Sequence, residues 1–392
     1  MKTLKRTWAD ISLDNLEYNY RSIRAHLPQG TKFLGVMKAD AYGHGAVPVS
    51  RALADLGAEY LAVSNLEEAV QIRRGEVRLP ILILGYTPAE YAANMIFLDI
   101  TQEVHSLEYA RELNEALAGT NYILNVHLKL DTGMTRIGFF AYDDERTLDE
   151  LRQVAQLPHL HIEGVFMHFC VTDSRAEADV SFTKLQYKRF MDMLSAMAGV
   201  GIRPEIRHCC NSGATILYPE FALDMVRPGI ITYGNAPSDE LEGALSLRPM
   251  MSLYSMIAQV RTVPAGTDIS YGRLYRTKEE TRVAVLPIGY ADGLSRLLTG
   301  KASFYLQGKQ VPVIGRICMD MCMIDVSGVP EAKPGDVVTI FGYDDDGTLL
   351  PCERLARAQG TINYELLCQI SKRIPRICHR GAETSQILQY IV

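Results

Sequence analysis

The stretch Val36-Met-Lys-Ala-Asp-Ala-Tyr-Gly-His-Gly45 follows the first apolar run of the chain, and the rest of the sequence makes most sense around its lysine. Residues 33–37 predict a short buried strand that ends at Lys38. A partly desolvated lysine in this position can form an imine with a carbonyl compound. The two glycines allow close backbone approach to a ligand, and Tyr42 offers a hydroxyl beside the lysine. The simpler alternative is a solvated lysine that closes a strand.

The composition is typical of a globular protein with two domains. The chain of 392 residues is too long for one ordinary core, and 47% hydrophobic with 22% charged residues is typical of soluble proteins. No apolar run approaches the roughly 20 residues of a membrane helix, and the charged residues 1–10 do not resemble a signal peptide. We therefore expect a cytoplasmic protein without a membrane partner. The net charge of −6 argues against a nucleic-acid surface.

The eight cysteines include the adjacent pair Cys209-Cys210 and a Cys318-x-x-x-Cys322 spacing. Neither arrangement matches a zinc ribbon or a redox Cys-x-x-Cys motif. We expect reduced thiols and no metal site.

Strand-like runs alternate with helical patterns through the first 240 residues. Helical stretches such as residues 66–73, 107–117 and 182–197 separate runs that are apolar throughout. This alternation predicts a parallel sheet, and eight such units predict a closed (β/α)8 barrel in an α/β protein. The eight predicted strands comprise residues 33–37, 60–63, 81–84, 99–101, 123–130, 164–167, 206–209 and 223–226.

The pattern changes after residue 240, where strands dominate and Pro and Gly interrupt them. The Pro237-Ser-Asp-Glu240 turn predicts a boundary between a barrel domain of residues 10–240 and a second, mostly β domain of residues 241–392. Helical patterns return in residues 353–359 and 365–371. The predicted strands of the second domain comprise residues 253–263, 282–288, 310–314, 321–326 and 337–341.

Chemically capable side chains follow five of the predicted barrel strands. Functional residues of such barrels come from the carboxyl ends of different strands, which makes these positions the candidates. They are Lys38 after the first strand, Lys129 to Arg136 after the fifth, His168 after the sixth, Asn211-Ser212 after the seventh and Arg227-Pro-Gly229 after the eighth.

Two of these strand ends are suited to binding an anion. Helix amino termini, and the loops after strands seven and eight of a barrel, are natural phosphate sites. Asn211 or Ser212 can begin a helix there, and Gly229 lets backbone amides reach the same anion. An ordinary helix cap is the simpler interpretation of Asn211 and Ser212.

Two further candidates have two interpretations each. His168 is either a packed core residue or part of a hydrogen-bond network with Arg227. Arg136 lies in the charged segment 129–138, where it either forms local ion pairs or binds a substrate carboxylate with its planar guanidinium.

These segments resemble the motifs of alanine racemases, pyridoxal-phosphate enzymes built from a barrel and a β domain. The resemblance covers nearly the whole chain, in the same order and at compatible separations. The family places a leader such as residues 1–9 with the β domain. The matching segments of the second domain are Ile269-Ser-Tyr-Gly-Arg273, Ile288-Gly-Tyr-Ala-Asp-Gly293, Gly315-Arg-Ile-Cys-Met-Asp320 and Gly360-Thr-Ile-Asn-Tyr-Glu365.

The resemblance implies a catalytic role for two residues. Lys38 would bind pyridoxal 5'-phosphate covalently and serve as one base, and Tyr271 would serve as the other. Arg227 would face the pyridine nitrogen, with His168 in the network behind it. Arg136 would contact the cofactor oxygen and the substrate carboxylate.

The remaining implied roles concern a partner subunit, a modified lysine and the phosphate. Tyr271, Met319 and Tyr290 would come from the partner in an obligate homodimer, with Met319 at the substrate and Tyr290 at the entrance. Lys129 would be carbamylated and would orient Arg136. The cofactor ligands around the phosphate would be Tyr42, Asn211, Ser212, Gly229, Ile230 and Tyr364.

The implied activity is the interconversion of L-alanine and D-alanine, which supplies D-alanine for peptidoglycan. Inversion requires a base on each face of the α carbon. Because a phenol ordinarily has a pKa near 10, neighbours such as His168 must favour its phenolate.

Three other interpretations compete with this one. An aldol-type lysine barrel leaves the second domain unexplained, and a non-catalytic cofactor-binding barrel would lack Tyr271. Serine racemases of the vancomycin-resistance type carry a membrane region and replace the tyrosine at position 364 with a smaller polar residue. The segment Phe169-Cys-Val-Thr172 departs from the Ala-Thr-Ala pattern of alanine racemases. This leaves a serine racemase, or another amino-acid racemase of the same fold, open beside an alanine racemase.

Overall fold

The chain forms two compact units in a computed structural model that describes residues 6–142 and 144–391. The barrel unit contains residues 17–41 and 46–248. The β unit contains the described parts of residues 1–16, 42–45 and 249–392. Of the predicted leader, residues 1–5 lie outside the described residues, whereas Thr7–Ser12 form strand β1 of the β unit.

Eight parallel strands form the wall of the barrel unit. They are β2 (Lys32–Val36), β3 (Tyr60–Val63), β4 (Ile81–Ile83), β5 (Ile100–Val104), β6 (Leu124–Asp131), β8 (Leu160–Phe166), β9 (Ile206–His208) and β10 (Met225–Val226), with the short β7 (Phe139–Phe140) beside β6. Their order is β10-β2-β3-β4-β5-β6-β8-β9. Backbone bonds from Asp224 N to Arg207 O (3.0 Å) and from Arg227 N to Cys210 O (2.9 Å) join the two ends. The predicted (β/α)8 barrel is confirmed, with all eight strands present.

Helices alternate with these strands, and polar caps fix where several of them begin. The side chains of Asn65 and Ser106 accept hydrogen bonds from Glu68 N (3.0 Å) and Tyr109 N (3.1 Å) and so satisfy amides that the helix leaves unpaired. The α-helices up to residue 217 are α1 (Leu13–His26), α2 (Ala46–Leu56), α3 (Leu66–Arg74), α4 (Ala92–Phe97), α5 (Leu107–Ala116), α6 (Asp144–Ala155), α7 (Glu177–Gly199) and α8 (Ser212–Leu217).

One large sheet dominates the β unit, as the pattern after residue 240 predicts. The strands after residue 248 are β11 (Met251–Met256), β12 (Gln259–Val263), β13 (Asp268–Ile269), β14 (Tyr275–Arg276), β15 (Thr281–Leu286), β16 (Ser303–Leu306), β17 (Lys309–Ile314), β18 (Cys322–Asp325), β19 (Val337–Tyr343), β20 (Leu349–Leu350), β21 (Arg376–Arg380) and β22 (Glu383–Leu388). The order in the large sheet is β12-β15-β18-β17-β16-β19-β11-β1-β21-β22, with β20 beside β19, and β13 and β14 form a separate hairpin. Two helices, α9 (Glu353–Gln359) and α10 (Asn363–Gln369), complete the unit.

Candidate active site

Lys38 begins a left-handed helical turn directly after strand β2. The next four residues have φ angles between 51° and 55°, a conformation that costs L residues roughly 1–2 kcal/mol each. Local bonds hold the turn: Ala39 N donates to Glu68 Oε1 at 2.7 Å, and Asp40 Oδ1 accepts from Ala46 N at 2.8 Å. Lys38 itself is exposed. Backbone strain of this kind clusters at functional sites, where it fixes a side chain in one place.

Four cationic side chains converge on His168 at the carboxyl ends of the barrel strands. Burial, reinforced by these four charges, holds the pKa of His168 well below its ordinary value. Contacts place two of these groups close together: an Arg227 nitrogen lies 3.3 Å from His168 Nδ1, and both Arg227 and Lys129 lie over the Phe166 ring. In order of their effect on His168 the four cations are Lys129, Arg227, Arg136 and Lys38. This accumulation of positive charge suits an anionic ligand.

Arg227 is a buried cation held by imidazole and carbonyl acceptors. Its guanidinium donates to His208 Nδ1 (2.9 Å) and to the carbonyl oxygens of Met167 (2.7 Å) and Cys209 (3.1 Å). A longer bond of 3.3 Å reaches His168 Nδ1. Within the described part of the chain, no Asp or Glu side chain pairs with Arg227, and burial lowers its pKa to about 10. The arginine therefore stays protonated near neutral pH.

Lys129 is a buried amine among other cations. It is 5% exposed, and its Nζ lies 4.3 Å from the centroid of the Phe166 ring. Burial, followed by the charges of Arg227 and Arg136, holds the pKa of Lys129 well below its ordinary value. A positive charge on Lys129 is therefore costly, and a nearby negative group would relieve that cost.

The segments after strands β9 and β10 are joined through one hydroxyl. Asn211 caps helix α8 by accepting from Ala214 N at 3.0 Å. Ser212 Oγ accepts from Gly229 N at 2.9 Å, which leaves the serine hydrogen available to donate. Ile230, which is fully buried, begins a short 3-10 helix after Gly229.

In the β unit, Tyr42 and Tyr364 lie side by side. Their ring centroids are 6.0 Å apart, and burial raises the pKa of Tyr42. The backbone at Gly43 packs closely against that of Leu367. A Cβ at position 43 would lie 2.5 Å from Leu367 O, so a larger residue would clash. Arg376 Nε donates to Gly43 O at 2.9 Å and holds this segment in place.

Tyr271, Tyr290 and Met319 are exposed on neighbouring loops of the β unit, at 69%, 42% and 52%. The loops meet at Cys318: Ser270 Oγ lies 3.5 Å from its Sγ, and Tyr290 N donates to its carbonyl at 3.0 Å. Ser270 has a φ of 66°, so the backbone before Tyr271 is strained. Large exposed side chains grouped in this way are typical of surfaces that contact another molecule.

Comparison with known proteins accounts for both units. Residues 11–237 match the alanine racemase N-terminal domain, and residues 250–378 match the alanine racemase C-terminal domain. The chain belongs to the alanine racemase family.

Individual relatives match along nearly the whole length of the chain. An alanine racemase of Desulfovibrio desulfuricans is 46% identical over 94% of this chain and 97% of its own length. A structure of the Clostridium difficile alanine racemase in complex with cycloserine gives a TM-score of 0.91 at 38% identity, with 100% of both chains covered. The Bacillus anthracis alanine racemase with bound L-Ala-P gives 0.93 at 34% identity, covering 100% of this chain and 99% of that one. Membership makes this chain an isomerase.

The sequence interpretation missed a set of residues behind Arg227. His127 and His208 are both fully buried, and Glu163 lies beyond them. One signal was available: His127 precedes Lys129 by two residues in strand β6, so both side chains point to the same face. For Glu163 no such signal exists, because its orientation depends on an irregularity in strand pairing between β6 and β8.

Two expectations about the surroundings of the site concern its cysteines and the membrane. None of the eight cysteines forms a disulfide within the described part of the chain. Across residues 6–142 and 144–391, no helix combines the length and the apolar character needed to cross a bilayer.

Proposed function

We propose that this member of the alanine racemase family interconverts L-alanine and D-alanine with pyridoxal 5'-phosphate, using Lys38 and Tyr271 as its two bases. The observation that carries the proposal is the set of positive charges that act on His168, from Arg227 hydrogen-bonded to its ring to Lys38 at the start of the strained turn. The names of the relatives, including one solved with L-Ala-P, support alanine as the substrate.

The residues of the barrel unit fit an anionic cofactor. Arg227 is buried without a carboxylate partner among the described residues, and Lys129 lies close by with a strongly lowered pKa. A phosphorylated ligand would supply the missing negative charge. We propose that Ser212, with Asn211 and the backbone of Gly229 and Ile230, binds the phosphate, and that Tyr42 and Tyr364 contribute their hydroxyls.

Pyridoxal phosphate, when bound, supplies a conjugated ring that stabilises the negative charge left on the α carbon after proton removal. Arg227 keeps its protons near neutral pH and can only donate to a ring nitrogen. A ring nitrogen that only accepts a hydrogen bond from Arg227 would withdraw less electron density than a protonated one. This difference would limit side reactions such as transamination.

Lys38 and Tyr271 exchange the α proton on opposite faces of the substrate. Lys38 Nζ takes or returns the proton on one face, and the phenol oxygen of Tyr271 does so on the other. Because Arg227 can only donate, His168 Nδ1 accepts from it, and the hydrogen of His168 lies on Nε2. That hydrogen can stabilise a phenolate, which is the role proposed for His168. Arg136 binds the substrate carboxylate.

We propose a homodimer in which each subunit contributes Tyr271 and Met319 to the site of the other. Both side chains are more than half exposed in the single chain, as a residue awaiting a partner would be. Tyr290, 42% exposed, would narrow the entrance. A two-fold arrangement would give two equivalent sites.

We propose that Lys129 is carbamylated. The uncharged Nζ would attack carbon dioxide, a proton of the amine would pass to solvent, and the new N-carboxylate would accept hydrogen bonds from Arg136. The lowered pKa of Lys129 supports this step, and the reversal of charge would relieve its repulsion by Arg136 and Arg227.

In the cell, we propose that the enzyme acts in the cytoplasm and supplies D-alanine for peptidoglycan. Cysteines that form no disulfide among the described residues are consistent with a reducing compartment. Residues 10–240 are the proposed barrel domain carrying the cofactor lysine, and residues 241–392 the proposed β domain.

Loss of optical activity of L-alanine, followed by circular dichroism with the cofactor-loaded enzyme, tests the proposed reaction. We expect kcat/KM for alanine to exceed that for serine by up to about 100-fold, since a small pocket rejects an added hydroxyl only modestly. An equal or higher value for serine would favour a serine racemase. Failure to racemise either amino acid would refute the proposal.

A further inference from the structure

A continuous hydrogen-bonded chain runs from Arg227 through the barrel interior to Glu163. Arg227 Nη1 lies 2.9 Å from His208 Nδ1, and His208 Nε2 lies 2.9 Å from His127 Nδ1. His127 Nε2 in turn lies 3.1 Å from Glu163 Oε2. Both imidazoles are fully buried, so water does not interrupt the chain.

The chemistry of its two ends fixes the direction of every bond in this chain. A guanidinium can only donate, so His208 Nδ1 is an acceptor and the hydrogen of His208 lies on Nε2. That hydrogen is donated to His127 Nδ1, which leaves the hydrogen of His127 on Nε2. An ionised carboxylate can only accept, so Glu163 receives this last hydrogen bond. Both imidazoles are neutral Nε2–H tautomers, and every donor points toward Glu163.

The backbone is shaped to admit the His127 ring. A Cβ at Gly164 would lie 2.5 Å from His127 Cε1, so no residue larger than glycine fits beside the ring. The pairing of β6 with β8 skips Glu163, because Val126 pairs with Ile162 and His127 pairs with Gly164. A bulge of this kind re-aims a side chain, and here it belongs to the residue that ends the chain.

Hydrogen bonds hold Glu163 as an anion. Tyr60 Oη donates to Oε2 at 2.9 Å, in addition to His127, and Thr101 Oγ1 lies 2.8 Å from Tyr60 Oη and 3.3 Å from the same carboxylate oxygen. Burial works to raise the pKa of Glu163, but these hydrogen bonds outweigh it and leave the pKa below its ordinary value. The two imidazoles are kept neutral mainly by burial, which lowers the pKa of His127 and, more strongly, that of His208.

We propose that Glu163 is a positioning residue for the cofactor: its carboxylate is the counter-charge of Arg227, and His127 and His208 transmit its effect as fixed Nε2–H tautomers. Arg227 is thereby oriented and keeps a donor for its ligand. The effect on the cofactor rests on the function proposed above, whereas the tautomers do not depend on it.

The tautomers can be measured on the full chain without added cofactor. In a protein labelled with nitrogen-15 in histidine, two-dimensional NMR distinguishes protonated from unprotonated ring nitrogens. Assignment by His127→Asn and His208→Asn should show the hydrogen on Nε2 in both residues. In Gly164→Ala the added methyl should displace the His127 ring and abolish its single tautomer. A hydrogen on Nδ1 of either residue in the unmodified chain would overturn the proposed chain.

Three substitutions separate charge from packing. Glu163→Gln keeps the volume and the acceptor oxygen but removes the charge, whereas Glu163→Asp keeps the charge and loses a methylene group. Loss of the counter-charge should lower kcat on the order of tenfold with a smaller change in KM, the size of loss that follows removal of a carboxylate behind a functional histidine. Glu59→Gln, which breaks an ion pair with Arg24 just before strand β3, is the matched control.

The relative kcat values of the Glu163 variants distinguish a positioning role from a purely structural one. A positioning role predicts that Asp at this position retains more kcat than Gln, and that only Gln shifts the visible absorption of the bound cofactor. A purely structural role predicts the opposite order, since Gln preserves the packing. Equal behaviour of Glu163→Gln and Glu59→Gln would refute the role. A chain that fails to bind the cofactor at all would instead refute the proposed function, and the tautomer measurement would still stand.

Discussion

At the scale of single residues, the central electrostatic feature of the barrel unit is the buried charge of Arg227. Burial of a guanidinium is costly unless its charge is balanced, and its contacts are two imidazoles and two carbonyls. An anionic ligand at one side and Glu163 at the far side of the imidazole chain would balance it. Burial, followed by the charges of Arg227 and the other basic side chains nearby, lowers the pKa values of Lys129 and His168.

Covalent attachment of the cofactor is predicted at Lys38. Borohydride reduction of the loaded enzyme should fix pyridoxal phosphate to this lysine, and trypsin should then leave residues 33–51 as one peptide, because the modified lysine is not cleaved. Lys32, at the start of the same strand, is the internal control and should remain unlabelled. Label on any lysine other than Lys38 would remove the basis of the proposed mechanism.

Carbamylation of Lys129 predicts a signal that depends on carbon dioxide. Enzyme incubated with carbon-13 bicarbonate should show one carbamate resonance, absent in Lys129→Ala. The same variant should raise KM for alanine about tenfold, because Arg136 loses the group that orients it. The exposed Lys184→Ala is the control. A resonance that survives in Lys129→Ala, or unmodified Lys129 in the active enzyme, would contradict the assignment.

Single residues were predictable where the sequence places them at strand ends. Lys38, Lys129 and Arg227 follow from that rule together with the family resemblance. His208 and Glu163 were not, because their importance arises from contacts between strands that are far apart in sequence.

The left-handed turn after strand β2 is the longest run of positive φ angles among the described non-glycine residues. Its four consecutive residues with positive φ include Ala39 and Ala41, neither of which gives a sequence signal for this conformation. The strain must be offset by packing and by the bonds that Asp40 and Ala39 make. It keeps Lys38 at a fixed point relative to the strand end.

Glycine at position 39 should relieve part of this strain. Ala39 is exposed, so its methyl group contributes little packing, and Ala39→Gly should raise the free energy of unfolding by about 1 kcal/mol. Ala196→Gly in the last turn of helix α7 is the matched control and should lower it by up to about 1 kcal/mol. Denaturant unfolding of both variants measures whether each substitution raises or lowers the free energy of unfolding. A lower value for Ala39→Gly than for the unmodified chain would show that the turn is not strained.

At the level of elements, the apolar runs predicted the positions of the strands more accurately than the residues at which the strands begin and end. The sixth barrel strand begins at Leu160 rather than Gly164, because the polar His161 still pairs with β6 and Glu163 occupies a bulge within the same strand. The predicted run 253–263 is two strands, since Ile257 and Ala258 bond to different neighbours and the chain changes partner there. Pairing across the sheet overrides local pattern in both cases.

The whole chain divides its proposed chemistry between two units that are interleaved in sequence. Lys38 belongs to the barrel unit, whereas Tyr42–Gly45, a few residues later, belong to the β unit with Tyr271. Composition and the periodicity of apolar residues predicted one barrel domain and one mostly β domain. They could not predict this crossing, because it depends on the close approach of Gly43 to Leu367.

Subunit complementation tests the central claim, that Lys38 and Tyr271 of different chains form one two-base site. Lys38→Ala and Tyr271→Phe should each be folded and nearly inactive as homodimers. Mixed under subunit exchange, and purified through two different affinity tags, the heterodimer should regain about one competent site of two, because only one site receives both intact residues. If each site were built within a single chain, neither subunit of the heterodimer would contain both intact residues, and the heterodimer would stay inactive. Heterodimers that form but racemise no faster than the homodimers would contradict the shared site.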